Sequence, residues 1–232
     1  LHTVSIGTVG IGQAKLQYSF AVKDKIEVYK LANFDFQAND FRIDSVSEAQ
    51  RGFWYSRGFS FEATGIEGLM TARNHRFTVK RMTLDAESGD FNLERIRLYP
   101  LSVCGQNDYM AGSIDTVGIR GLLYDKGISA RLLKIDRPNL RYVLVSSFNK
   151  KDVKSVKPAS SRVDVESILN PFLRYFSVKR LSLNHAYVTI DDKSMSDPVT
   201  YKLNDFNFFA TGIWVNRQLS LIHISEPTRR SY

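Results

Sequence analysis

The chain repeats itself. Val4–Ile43 aligns without a gap onto Phe176–Val215, at a constant offset of 172 residues (4 against 176, 43 against 215). Apolar residues match pair by pair: Val4 with Phe176, Ile6 with Val178, Val9 with Leu181, Ile11 with Leu183, Leu16 with Val188 and Tyr18 with Ile190. The register then survives a ten-residue connection, so that Tyr29-Lys30-Leu31 meets Tyr201-Lys202-Leu203. Phe34 and Phe36 meet Phe206 and Phe208, Ala38 meets Ala210, and Phe41 and Ile43 meet Ile213 and Val215. A repeat of this length commits both copies to one local fold, and that unit constrains every later inference.

Within each copy the apolar residues recur at period two, the mark of strands with one buried face. The phase changes twice. Val4 and Ile6 are even, Val9 and Ile11 odd, and Ala14, Leu16 and Tyr18 even again. Each change requires a turn or bulge that re-aims the side chains. A third, partial copy runs from Leu133 to Tyr142, with Pro138 where the full copies have Ala14 and Ala186. Proline donates no hydrogen bond to a ladder, so this spot is expected to be irregular.

The middle continues as strands: Phe59–Ala63, Arg76–Leu84, Phe91–Tyr99, Ser113–Leu122 and Ile128–Ile135. Turn signals fall at Ser88-Gly89-Asp90, Gln106-Asn107-Asp108 and Tyr124-Asp125-Lys126-Gly127. Residues 146–162, rich in Ser and Lys, read as a flexible connection. In Asp164–Arg174 the rhythm turns helical, since Val165, Ile168, Leu169 and Phe172 share one stripe, although Pro171 shortens or kinks it. The expected organisation is a first β unit over 1–145, the connection 146–162, and a short helix opening a second unit over 163–218.

Both ends point to a fragment. The chain opens on Leu1 in strand alternation, with no basic and apolar leader. Residues 219–229, LSLIHISEPTR, read as the translation of a sequencing adaptor, so 219–232 is set aside as a non-native tail. A net charge of +8 favours acidic surfaces without specifying one, and removing the tail lowers it by one. One cysteine, Cys104, excludes a disulfide framework, and no apolar run is long enough for a membrane-spanning helix.

Catalytic chemistry needs convergent groups, and few are in evidence. His2, His75 and His185 stand at no metal-ligand spacing. His185, aligned with Gln13, reads as a polar residue at a phase change. Gly7-Thr8-Val9-Gly10-Ile11-Gly12 mimics a phosphate loop, but strand alternation continues through it where a helix should start. Asp191, Asp192 and Asp197 read as a solvated turn rather than a calcium site, because the first copy has Ser19, Phe20 and Lys25 there. Arg51–Arg57 interleaves basic and aromatic residues, including Trp54 and Tyr55, yet the charges form no block as nucleic-acid binding would require. No enzyme, cofactor, metal or nucleic-acid partner is expected.

Val178–Ile190 with Tyr201–Val215, Leu132–Tyr142 and Val4–Ile43 resemble the AsmA-like proteins, the group that includes TamB and related envelope proteins of Gram-negative bacteria. The shared pattern is strand alternation with a small residue and carries no catalytic signature. The resemblance implies a curved, open, repetitive antiparallel β-groove, anchored in the inner membrane by an upstream helix that this chain does not contain. It further implies a periplasmic location and the passage of phospholipid acyl chains between the two membranes.

The expected lining of that groove is Val9, Ile11, Leu16, Phe34, Phe36, Leu133, Ile135, Leu181, Leu183, Val188, Phe206 and Phe208. The same alternation also suits a ligand-free structural or adhesive β-sandwich of the envelope. An outer-membrane barrel fits poorly, because its strands need an unbroken lipid-facing side over about 9–11 residues.

Overall fold

Alternation at period two becomes strand throughout the computed structural model, which describes residues 4–22, 24–43, 58–103, 108–124, 127–145, 175–194, 197–216 and 219–223. The strands are β1 (Val4–Val22), β2 (Lys25–Ile43), β3 (Gly58–Met70), β4 (His75–Asp85), β5 (Asp90–Pro100) and β6 (Tyr109–Arg120). They are followed by β7 (Leu123–Tyr124), β8 (Ile128–Asp136), β9 (Asn139–Leu144), β10 (Tyr175–Asp192), β11 (Val199–Asn216) and β12 (Leu219–His223). Five strands expected from the middle of the sequence are present, with β3 running seven residues past Ala63.

All twelve strands belong to one sheet, in the order β1-β2-β3-β4-β5-β6-β8-β10-β11-β12, with β7 beside β8 and β9 between β6 and β10. Neighbours are antiparallel except at β10, which runs parallel to both β8 and β9. Among the described residues the sheet is open, since β1 and β12 each pair with a single neighbour. A sandwich needs a second sheet facing the first, and the described residues contain none.

The repeat is exact in its hydrogen bonding. Val9 opposes Ala38 and Ile11 opposes Phe36 in one hairpin, as Leu181 opposes Ala210 and Leu183 opposes Phe208 in the other. Both hairpins carry register shifts at equivalent places, flanking Ala14 and Ala186. Gln13 and His185 both have positive φ, at 54° and 50°, as does Arg137 of the partial copy at 48°. The N–H of Gln13 donates to the Asp35 carboxylate at 2.9 Å, and that of His185 to the Asn207 side-chain oxygen at 2.9 Å. The phase changes are therefore bulges inside continuous strands, and His185 is a bulge residue rather than a turn residue. Pro138 breaks the third copy into β8 and β9, as a residue with no N–H should.

These bulges line up across the sheet. At one level each long strand spaces two apolar residues three apart: Ile11 and Ala14, Leu31 and Phe34, Ala63 and Ile66, Val79 and Met82, Leu93 and Ile96, Ile114 and Val117, Leu183 and Ala186, Leu203 and Phe206. We call this line the crease. A bulge shared by neighbouring strands moves the phase without disturbing their pairing, so the apolar side chains stay on one face. Gly65 sits on the crease with φ at 60°, where an added Cβ would lie 2.7 Å from Ala32 Cβ. Gly65→Ala is expected to lower stability by about 1–2 kcal/mol from the left-handed backbone alone, read as a lower urea midpoint.

The segment expected to form a helix, 164–174, and the connection 146–162 lie outside the described residues, as do Cys104, His2 and Arg51–Arg57. One 3-10 turn, Thr71–Arg73, links β3 to β4 and was not expected. Residues 219–223, set aside as a non-native tail, pair with β11 through Trp214–His223 and Asn216–Leu219. Ladder hydrogen bonds are made by the backbone whatever the side chains, and Leu219 and Leu221 keep the period of two.

Candidate functional site: the apolar face

Residues directly opposite one another in a ladder point to the same side of a sheet. Following the pairs from strand to strand therefore maps a face. One row runs Ile11, Phe36, Phe61, Leu84, Phe91, Ile119, Leu133, Leu181 and Ala210. The next runs Ala14, Phe34, Ala63, Met82, Leu93, Val117, Ile135, Leu183 and Phe208. No polar side chain interrupts either row. Beyond the crease the face continues through Leu16, Leu31, Ile66, Val79, Ile96 and Ile114.

All twelve residues expected to line a groove lie on this face. Val9 precedes the first row, Phe206 opposes Ala186 at the crease, and Val188 opposes Leu203 beyond it. Phe61, Leu84, Phe91, Ile119, Met82, Leu93 and Val117, with the small residues Ala14, Ala63 and Ala210, complete the rows and were missed. The large ones belong to the middle strands, where alternation was visible but no repeat marked which phase shares a face with the hairpins.

Ring contacts run across the strands, with Phe34 beside Phe61 and Phe36 beside Phe59, each pair 6.1 Å between centroids. A small cluster of Ala63, Ile66 and Val79, backed by Leu31, Phe34, Phe77, Met82, Leu93 and Ile96, straddles the crease.

This face is uncovered by any second layer among the described residues. Among the described residues the buried hydrophobic side chains are Ala, Val and Ile, and no Leu, Phe, Met, Tyr or Trp is buried. The largest fully buried side chains are Val143 and Val178. Ile11 is 51% exposed, Leu16 47% and Phe208 47%, on the outer hairpins, and the central members of the rows are half-buried. A protein that closed on itself would hide its leucines and phenylalanines first. The largest patch on an ordinary monomer is a few hundred Å², and this face spans nine strand positions.

The opposite side carries charge, much of it at the crease, where the two residues between each apolar pair face away from the rows. Arg81 donates from Nε and Nη2 to Glu62 at 2.8 and 2.9 Å, and Glu94 lies 3.9 Å away. Arg137 pairs with Asp115 at 2.7 Å and His185 with Asp205 at 2.8 Å. Burial is the largest influence on Asp136 and opposes its charge, but hydrogen bonds from Asn184, Lys134 and Thr116 prevail and hold its carboxyl below the ordinary range. Asp35, Glu62, Asp85 and Arg120 line a hollow of about 650 Å³ together with Ile11, Phe36, Phe61 and Leu84 of the first row, and Arg81, Glu94, Thr116 and Asp136 line one of about 420 Å³ together with Leu93. Phe209, opposite Ser182, is an apolar exception on the charged side at 61% exposure.

Asp191, expected in a solvated turn, is instead buried at 6% exposure. Thr200 Oγ1 donates to it at 2.8 Å and Arg141 Nε at 2.6 Å, and these bonds, in that order, hold its carboxyl below the usual carboxylate range. Asp192 accepts from the N–H and Oγ of Ser194 instead, and among the described residues no three of His, Cys, Asp and Glu gather as a metal site. A depressed native pKa means stability that is present above the unfolded value, about 3.9, and lost as pH falls through the native one. The β9–β10 junction should therefore exchange its amides faster on acidification below about pH 4. Asp191→Asn should flatten that dependence while weakening the junction at neutral pH.

The glycine-rich stretch from Gly7 to Gly12 is plain β1, with no helix after it. His75 Nε2 lies 3.0 Å from the Met110 carbonyl and 3.2 Å from its nitrogen, a staple between β4 and the start of β6. No helix of the described residues is long and apolar enough to cross a membrane. No family model, no curated protein and no solved structure matches the chain.

Proposed function

We propose that this chain is part of an AsmA-like envelope protein that holds phospholipid acyl chains along its apolar face and passes them between the inner and outer membranes. The single observation that carries the reading is the pair of unbroken apolar rows on an open sheet with no covering layer among the described residues. Hydrocarbon gains about 0.8 kcal/mol per CH₂ removed from water, so an acyl chain on such a surface needs no polar anchor. The ladder pairs offer a level, continuous track, and neighbouring rows give a mobile chain equivalent places to lie. Transfer of this kind requires no bond making, and the proposal assigns no catalytic residue, cofactor or metal. The partner is an acyl lipid and the location the periplasm.

The test is direct. Chain purified from detergent, stripped and incubated with bacterial phospholipid, should retain one or more phospholipids in native mass spectrometry. A folded sample that repeatedly emerges free of lipid would contradict the reading and favour a ligand-free structural element.

A further inference from the structure

Arg81, Lys134, Arg137 and Arg141 each pair with a carboxylate. Arg131, Lys179 and Arg180 have no such partner among the described residues, and all three line one hollow of about 580 Å³. Arg120 lines it too, bonded to Asp90. Four cations therefore meet one carboxylate, a surplus of three positive charges. We propose that this hollow is a binding site for a phosphate-bearing ligand. None of its lining belongs to the apolar rows, so the inference is independent of the acyl-chain reading.

Register brings the cations together from three strands. Arg120 of β6 opposes Leu132 of β8, Leu132 opposes Arg180 of β10, and Arg180 opposes Thr211 of β11. Arg131 and Lys179 come one residue earlier on β8 and β10. The apolar spacing of three recurs at this level, in Ala130 with Leu133 and in Val178 with Leu181. It turns both residues of each intervening pair outward, as at the crease. An added Cβ on Gly121 would collide with the Arg131 side chain, so Arg131 lies close over bare backbone beside Arg120.

The strand unit itself does not call for this charge. The first copy has Gly7 and Thr8 where β10 has Lys179 and Arg180, and it forms the same hairpin. Like charges on adjacent strands repel, so the cluster costs stability until a counter-charge fills the hollow. Donors arriving from different strands suit an oxyanion that offers oxygens in several directions. A carboxylate, with two oxygens in one plane, is satisfied by a single arginine fork. The hydroxyl of Thr211, at the rim, adds a neutral donor. A soluble phosphate compound and the headgroup of an anionic phospholipid present the same chemistry, and the test separates them.

The full chain is titrated with pyrophosphate by calorimetry at low salt. Arg131→Gln, Lys179→Gln and Arg180→Gln together should weaken binding roughly tenfold or more. The same loss of charge elsewhere, by Lys15→Gln, Lys30→Gln and Lys202→Gln, should leave it unchanged. All six side chains are exposed, so both variants should keep the fold. With the unsubstituted chain, pyrophosphate should slow hydrogen exchange around Arg131 and Arg180 and leave β3 unaffected. Vesicles supply the second arm. If the phosphate is a lipid's, phosphatidylglycerol should recruit the chain beyond phosphatidylcholine, and the first triple variant should lose that preference. Pyrophosphate binding without it marks a soluble ligand. The proposal is overturned if neither probe binds, if both triple variants weaken binding equally, if protection falls elsewhere, or if triglutamate binds as tightly as pyrophosphate.

Discussion

Deletion of Arg95 is expected to destroy the fold or weaken it beyond easy measurement, although its side chain is exposed. Arg95 sits on the crease of β5, between Leu93 and Ile96, with φ at 51°. Removing it leaves Leu93 and Ile96 two apart, so a plain strand keeps Ile96 and Leu98 on the apolar face but falls one residue out of step with β4 and β6, whose crease pairs remain three apart. Losing about four ladder hydrogen bonds beyond the crease at roughly 1 kcal/mol each costs about 4 kcal/mol, a large part of the stability of an ordinary domain. Arg95→Gly should do the reverse. A left-handed backbone is costly for arginine and free for glycine, while glycine is more disordered when unfolded. The net is a gain of about 0.5–1 kcal/mol. Urea titrations followed by circular dichroism measure both. The opposite signs at one exposed residue separate backbone phase from side-chain chemistry.

The second large effect concerns lipid. The triple variant Phe61→Gln, Leu84→Gln and Leu133→Gln puts three amides into the central row. Each amide removes apolar area and leaves a polar group that hydrocarbon cannot satisfy. Bound phospholipid should fall at least tenfold. A matched variant of outward-facing polar residues, Glu62→Gln with Asp85→Asn, alters the charged side chains of the 650 Å³ hollow that Phe61 and Leu84 also line, and should leave lipid retention unchanged. If the polar variant lost lipid and the apolar one kept it, the ligand would lie against the charged side chains instead.

The two hairpins were legible in the sequence almost completely, because 40 aligned residues reported the same alternation twice. So were the phase changes, since Val9-Ile11 and Ala14-Leu16 cannot share a face without a bulge between them. Pro138 announced the break between β8 and β9. What could not be read was the lateral order. Strand alternation says which residues share a face and is silent about which strand lies beside which, so the parallel neighbour of β10 came only with the structure. The burial of Asp191 was hidden for the same reason. Its partner Arg141 is fifty residues away, on the strand that the parallel pairing brings alongside. The middle rows were missed because Phe61, Leu84 and Phe91 are fixed to the hairpin face by register alone.

The central claim is that hydrocarbon lies on one particular side of this sheet. Phospholipid carrying a photoreactive diazirine in its acyl chain, bound to the chain and irradiated, reports that side by peptide mapping. The account predicts adducts on Phe36, Phe61, Leu84, Phe91, Leu133 and Leu181, and none on Ser60, Glu62, Asn92 or Lys134. Adducts confined to the charged side, or spread evenly over both, would contradict it.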